Sequence, residues 1–152
     1  MNKEVLISIS GIQFAEEPEG AEPLETVVAG EYYKRNGAHF VLYDETVEEW
    51  GKTIHNFIKI RDNSMEVRKR GLMNTHMIFE PGKKNLTSYQ LPFGEVQLGI
   101  STTGVKIDEQ QDRITAVVNY ALDANEGYIA DCEIHLEVRS KEAAADLLAN
   151  EG

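Results

Sequence analysis

RITAVVNYALDANEGYIADCEIHLEVRS, residues 113–140, decides the fold class. Ile114, Ala116, Val118, Tyr120 and Leu122 share one parity. Beyond Asn125-Glu126-Gly127, Tyr128, Ala130, Cys132, Ile134, Leu136 and Val138 share one too. Only an extended strand places every second side chain on the same face, so the stretch reads as a half-buried antiparallel hairpin.

The same period runs outward through the chain. Val5, Ile7 and Ile9 set one parity, Ile12 and Phe14 the other, and the switch at Ser10-Gly11 predicts a bulge. After an acidic loop, strands are expected over about 24–34 and 39–45, joined at Asn36-Gly37, whose residues tolerate positive φ. Further strands cover about 53–60, 65–70 and up to Phe79, with turns at Asp62-Asn63 and Pro81-Gly82. A loop carrying Tyr89 then leads to a long strand from Phe93, with a second parity slip at Thr103-Gly104. All four prolines fall outside strand interiors, as a hydrogen-bonded ladder demands. The expectation is an all-β, closed antiparallel meander barrel of eight to ten strands. It forms a single domain over 1–152, with the barrel at about 4–139. Ser140 followed by Ala143, Ala144, Ala145, Leu147 and Leu148 predicts a short helical tail over about 140–150.

A chain of 152 residues can bury a core without a disulfide or metal staple, and its single cysteine, Cys132, cannot form an internal disulfide. Met1 to Ile9 lacks the apolar core of a secretory signal, and no stretch reaches membrane-spanning length. A cytoplasmic location is expected, with no membrane partner. The net charge of −11 argues against general affinity for nucleic acid. Its distribution is uneven. Residues 1–50 carry 3 basic and 11 acidic side chains, residues 51–84 carry 8 and 3, and residues 85–152 carry 4 and 12. The basic middle reads as a complement to acidic neighbours or as an anion site.

Signatures of nucleophile elbows, phosphate loops, dinucleotide folds and zincins are absent from the sequence. No catalytic residue, cofactor or metal is assigned. Cys132 and His135 have the spacing of a metal pair, but on a strand they face opposite ways. The informative positions are polar residues in an apolar phase. Tyr43 and Glu45 continue the parity of Val41, Lys69 that of Val67, Thr102 that of Ile100, and Tyr120 that of Val118. Isolated buried charges are too costly to keep, so Glu45 and Lys69 need partners, and each other is the economical choice. Two readings follow: an internal hydrogen-bond network, or a lumen that orients a polar ligand head. An enzymatic role would rest on the Glu45–Lys69 pair alone.

In this order and spacing, Gly30-Glu31-Tyr32-Tyr33, Tyr43-Asp44-Glu45, Lys69-Arg70-Gly71, Phe79, Gly82, Tyr89, Phe93-Gly94-Glu95, Thr102 and Tyr120 form a pattern. By it the chain resembles the YwiB-like bacterial proteins, from about Val5 to Val138. The resemblance implies a lipocalin-like barrel and adds no reaction. The chain departs from the family pattern at Lys69, where arginine is frequent, at Leu91, and in its tail. The functional expectation is a small, partly apolar ligand held in the lumen by Tyr43, Glu45, Lys69, Tyr89, Thr102 and Tyr120. The alternative is a filled barrel acting as an interaction module, as a homodimer for example.

Overall fold

Alternation becomes ten strands in the computed structural model, which describes residues 3–11, 25–47, 51–125 and 127–141. They are β1 (Glu4–Ser10), β2 (Glu25–Arg35), β3 (Ala38–Val47), β4 (Lys52–Arg61), β5 (Ser64–Gly71), β6 (Thr75–Phe79), β7 (Lys84–Leu91), β8 (Gly94–Gln110), β9 (Arg113–Ala124) and β10 (Gly127–Ser140). They form one antiparallel sheet in the order β6-β5-β4-β3-β2-β1-β10-β9-β8-β7. Every sequence neighbour pairs with the next except β6 with β7, and β1 pairs with β10 from Val5↔Ser140 to Ser10↔His135.

The barrel is therefore nearly closed, where full closure was expected. Its seam lies between β6 and β7. One end of the seam is pinned by a single bridge, Asn74 N–H to Gln90 O at 3.0 Å and Gln90 N–H to Asn74 O at 2.8 Å. The other end is a tight turn with Lys83 N–H donating to Glu80 O at 3.1 Å, tied to β8 by Gly82 N–H to Thr102 O at 2.9 Å.

The turns follow residue chemistry. Asn36 and Gly37 take φ of 53° and 78°, the paired positive values of a type I′ hairpin. Asp62 and Asn125 also sit at positive φ, each at the tip of a hairpin. The slip expected at Thr103-Gly104 is a register shift between Thr102 and Gly104. Gly11, at φ 87°, follows the last residue of β1, while Ile12 and Phe14 lie outside the described residues.

Three further expectations change. Residues 84–91, read as a loop, form β7, because Asn85, Thr87 and Tyr89 alternate inward with weak apolar character. Tyr128, read as inward, is 68% exposed, because a bulge between Tyr128 and Ala130 resets the parity of β10. Ser140, expected to start a helix, ends β10 opposite Val5, and the rest of that expected tail, after Lys141, lies outside the described residues.

The interior is layered. Val41, Ile58, Val67 and Met77 form one cross-strand row, and Ile60, Met65 and Phe79 lie in the next; all are essentially without solvent contact. From the far wall come Ile100, Ile114, Ala116, Val118, Ile134 and Val138, equally buried. Gly30 is a tight backbone approach within the wall. A Cβ there would lie 2.4 Å from Leu42 O and 2.5 Å from Ile7 Cδ1. Gly30→Ala should lower stability by roughly 1–3 kcal/mol through overpacking against backbone that cannot yield. Urea unfolding should show a lower midpoint with an unchanged slope.

Candidate functional site

Polar groups enter the interior where the apolar rows stop. The row after Val41–Ile58–Val67–Met77 is Tyr43–Asn56–Lys69–Thr75, carried on β3, β4, β5 and β6 by the same register. Glu45 stands one step beyond it on β3, toward what we term the upper end of the barrel. The pairing expected from parity is present: Lys69 Nζ donates to Glu45 Oε1 at 3.0 Å. It also donates to Asn56 Oδ1 at 2.8 Å, and Asn56 Nδ2 donates to the same Glu45 oxygen at 2.9 Å. The three side chains thus close a triangle, with Lys69 buried and the Glu45 side chain 22% exposed.

Two phenols flank it. Burial first, and Glu45 second, raise the Tyr43 hydroxyl far above its ordinary pKa. The same two causes push Tyr89 up to about 12. Both stay protonated donors at neutral pH. Tyr89 O–H reaches Met73 Sδ at 3.3 Å. Thr75, next to Lys69 on β6, is buried, and its Oγ1 has no hydrogen-bond partner among the described residues. Unpartnered buried hydroxyls are uncommon, and this one adjoins a charged cluster.

Four of the six residues singled out from sequence, Tyr43, Glu45, Lys69 and Tyr89, therefore gather at one site. Thr102 and Tyr120 do not join them. They are cross-strand partners on β8 and β9, and Tyr120 packs edge-on to Phe79 with ring centroids 5.0 Å apart. Its hydroxyl donates to Gly11 O at 3.1 Å, and burial raises its pKa. Thr102 Oγ1 is buried and unpartnered as well. Asn56 and Thr75 were missed, although the rule that found the others applies. Asn56 keeps the parity of Ile54 and Ile58, and Thr75 that of Met77 and Phe79. Cys132 faces inward opposite Tyr120, whereas His135 is exposed, as strand parity requires.

A second cluster closes the lower end. Tyr32 and His39 are buried, with Tyr32 Oη 2.7 Å from His39 Nδ1. His39 Nε2 lies 3.4 Å from Glu109 Oε2, and Lys34 Nζ donates to Glu109 Oε1 at 3.1 Å. A neutral ring protonated at Nε2 satisfies all of this: Tyr32 donates to Nδ1, and Nε2–H faces the carboxylate. Glu109 reaches these strands because β8 runs for 17 residues. Burial holds the His39 pKa below its usual value against the opposing pull of Glu109. The hydrogen bond from Lys34 chiefly lowers that of Glu109. The approach of Glu109 to His39 was not legible in the sequence, because β8 meets β2 and β3 only through the curvature of the wall.

A nearly closed antiparallel barrel with a polar cluster at one end defines the class. The family follows from sequence: the model described as Domain of unknown function (DUF1934) matches residues 7–136, and the chain belongs to this family, the YwiB-like proteins. It is 26% identical over 118 residues to the uncharacterized beta-barrel protein YwiB of Bacillus subtilis (strain 168), covering 76% of this chain and 81% of that protein. The crystal structure of the Bacillus subtilis ywiB protein superposes with a TM-score of 0.71 at 19% identity, over 91% of this chain and 92% of that one. That likeness establishes the fold.

Lys69→Met should cost about 2–3 kcal/mol, less than for a fully sealed ion pair because water reaches Glu45. Adding Glu45→Leu should recover part of the loss by removing the stranded carboxylate, measured as a double-mutant cycle in urea. At the lower end, the unfolded chain protonates His39 near pH 6.5, whereas the folded chain resists until more acid pH. This contribution is complete above about pH 6.5 and is lost as pH falls through the window between the two values. His39→Gln should therefore flatten the pH dependence of the urea midpoint below about pH 6.5.

Proposed function

We propose that the chain binds a small, partly apolar molecule at the upper end of its lumen, with the polar head held by Glu45, Lys69 and Thr75. This extends the lipocalin-like reading from wall to content. The observation that carries it is unused hydrogen-bonding capacity beside a charged pair. Lys69 spends two of its three donors, on Glu45 and Asn56. Among the described residues, Glu45 receives both of its bonds on Oε1, leaving Oε2 open. The Thr75 hydroxyl is unpartnered, and the Tyr43 hydroxyl is held protonated. A head group that offers one donor and one acceptor would satisfy Oε2 and the remaining ammonium proton together. Met73 and Val96, half-buried against the core beside Tyr89, give an apolar portion something to pack on. Fully paired polar groups would support a purely structural network; here several bonds are left to make.

The alternative, a filled barrel acting through its exterior, draws on the large exposed apolar side chains Leu86, Phe93, Tyr128 and Ile129. Native mass spectrometry of protein purified from its own host separates the two. A non-covalent adduct that survives in the wild type and disappears in Glu45→Ala is expected. A clean unliganded mass overturns the lumen reading, and the same spectrum reports whether the chain is a dimer.

A further inference from the structure

The outer wall of β2 to β6 carries an open groove of about 380 Å3. It opens away from the lumen, because its lining residues other than Val41 and Ile58 have the opposite parity. Leu42, Phe57, Arg68 and His76 form one outward cross-strand row. Phe40, Lys59 and Glu66 form the next, and Tyr33 stacks on Phe40 with centroids 4.9 Å apart and planes at 14°. Lys59 Nζ stands 5.9 Å from the centre of the Phe40 ring. Tyr33 and Phe57 are 45% and 42% exposed, so both rings are within reach of a ligand.

The charge arrangement is what singles this groove out. The chain as a whole is strongly acidic, yet the groove is lined by Lys59, Arg68 and Arg70 with one carboxylate, Glu66. That carboxylate is engaged by His76 Nε2 at 3.1 Å. The neighbouring Asp44 is engaged by His55 at 2.8 Å. No ion pair holds Arg68 or Arg70 among the described residues. These two free guanidinium groups lie two residues apart on one face of β5, roughly 6.6–6.8 Å along the strand.

We propose that this groove binds a short single-stranded segment of RNA. Bases would stack on Phe57 and on the Tyr33–Phe40 pair, and consecutive phosphates would meet Arg68 and Arg70. Exposed rings on a sheet face supply stacking, and forked guanidinium groups supply phosphate contacts. An acidic peptide would use the arginines but leave the stacked aromatic faces without planar partners. A duplex would bring a long charged backbone against the acidic remainder of the surface, whereas one or two nucleotides of a single strand stay within the groove.

The test is fluorescence anisotropy with a labelled, mixed-sequence RNA trinucleotide, which carries two linking phosphates, and the full chain. Binding is expected at about 50 mM salt, weakening roughly sevenfold at about 200 mM if two phosphates are neutralised. Phe57→Ala should weaken it by about tenfold, through the lost stacking face. The exposed pair Arg68→Ala and Arg70→Ala should weaken binding by at least tenfold and flatten what remains of its salt dependence, with circular dichroism checking the fold. Leu86→Ser, on the exposed face of β7, should change nothing. Absence of binding at low salt overturns the proposal. So does undiminished binding by the double arginine variant, or equal competition by an acidic tyrosine-containing peptide, which would assign the groove to a protein partner.

Discussion

The pairing of β1 with β10 is the interaction on which the rest depends. A ten-stranded meander laid flat would leave its first and last strands as unpaired edges, each exposing a row of N–H and C=O groups. Joining them places both terminal strands in the interior of the sheet order and moves the break to β6 and β7. Those two strands are already held together by a tight turn at one end and the Asn74–Gln90 bridge at the other. Closure also creates the lumen, and with it the distinction between an inward parity and an outward one. Without that distinction, neither the Glu45–Lys69–Asn56 triangle nor the Phe57–Arg68 row would have a side to belong to.

The polar cluster shows how such a wall tolerates charge. A lone ammonium at the depth of Lys69 would be untenable; one with a carboxylate and an amide oxygen within 3.0 Å is not. Its position matters as much as its partners. The triangle lies where the apolar rows end, so water reaches Glu45 while Lys69 stays covered. The lower end has a different solution. There β8 extends to bring Glu109 to Lys34 and His39, linking strands far apart in the sheet order.

Strand parity made most of this legible. It placed Glu45 and Lys69 inside, separated Cys132 from His135, and located the bulge at Thr103-Gly104. It failed where the period was weak or reset. Asn85, Thr87 and Tyr89 carry too little apolar character for β7 to announce itself, although hydrogen bonds to β8 hold it. At Tyr128 a bulge reversed the sides without a parity switch to mark it. Asn56 was readable by the same rule and lay in a run where isoleucines drew the eye. The meeting of His39 with Glu109 was not readable at all, because alternation reports which face a residue occupies and says nothing about which distant strand curls toward it. The outer groove was half visible, as a basic middle stretch; that its arginines lack ion pairs among the described residues and that its aromatics are adjacent required the structure.

The β1–β10 junction also orders events during synthesis. Chains are made from the N-terminus, so β1 emerges first and its outer partner emerges last. Until Ser140 has left the ribosome, β1 has its β2 partner but lacks its β10 partner, with Val5, Ile7 and Ile9 in the core phase. The nascent barrel is thus a sheet with a growing rim at one end and a waiting rim at the other. Each new hairpin adds its strand locally, and only the final one converts a ribbon into a vessel.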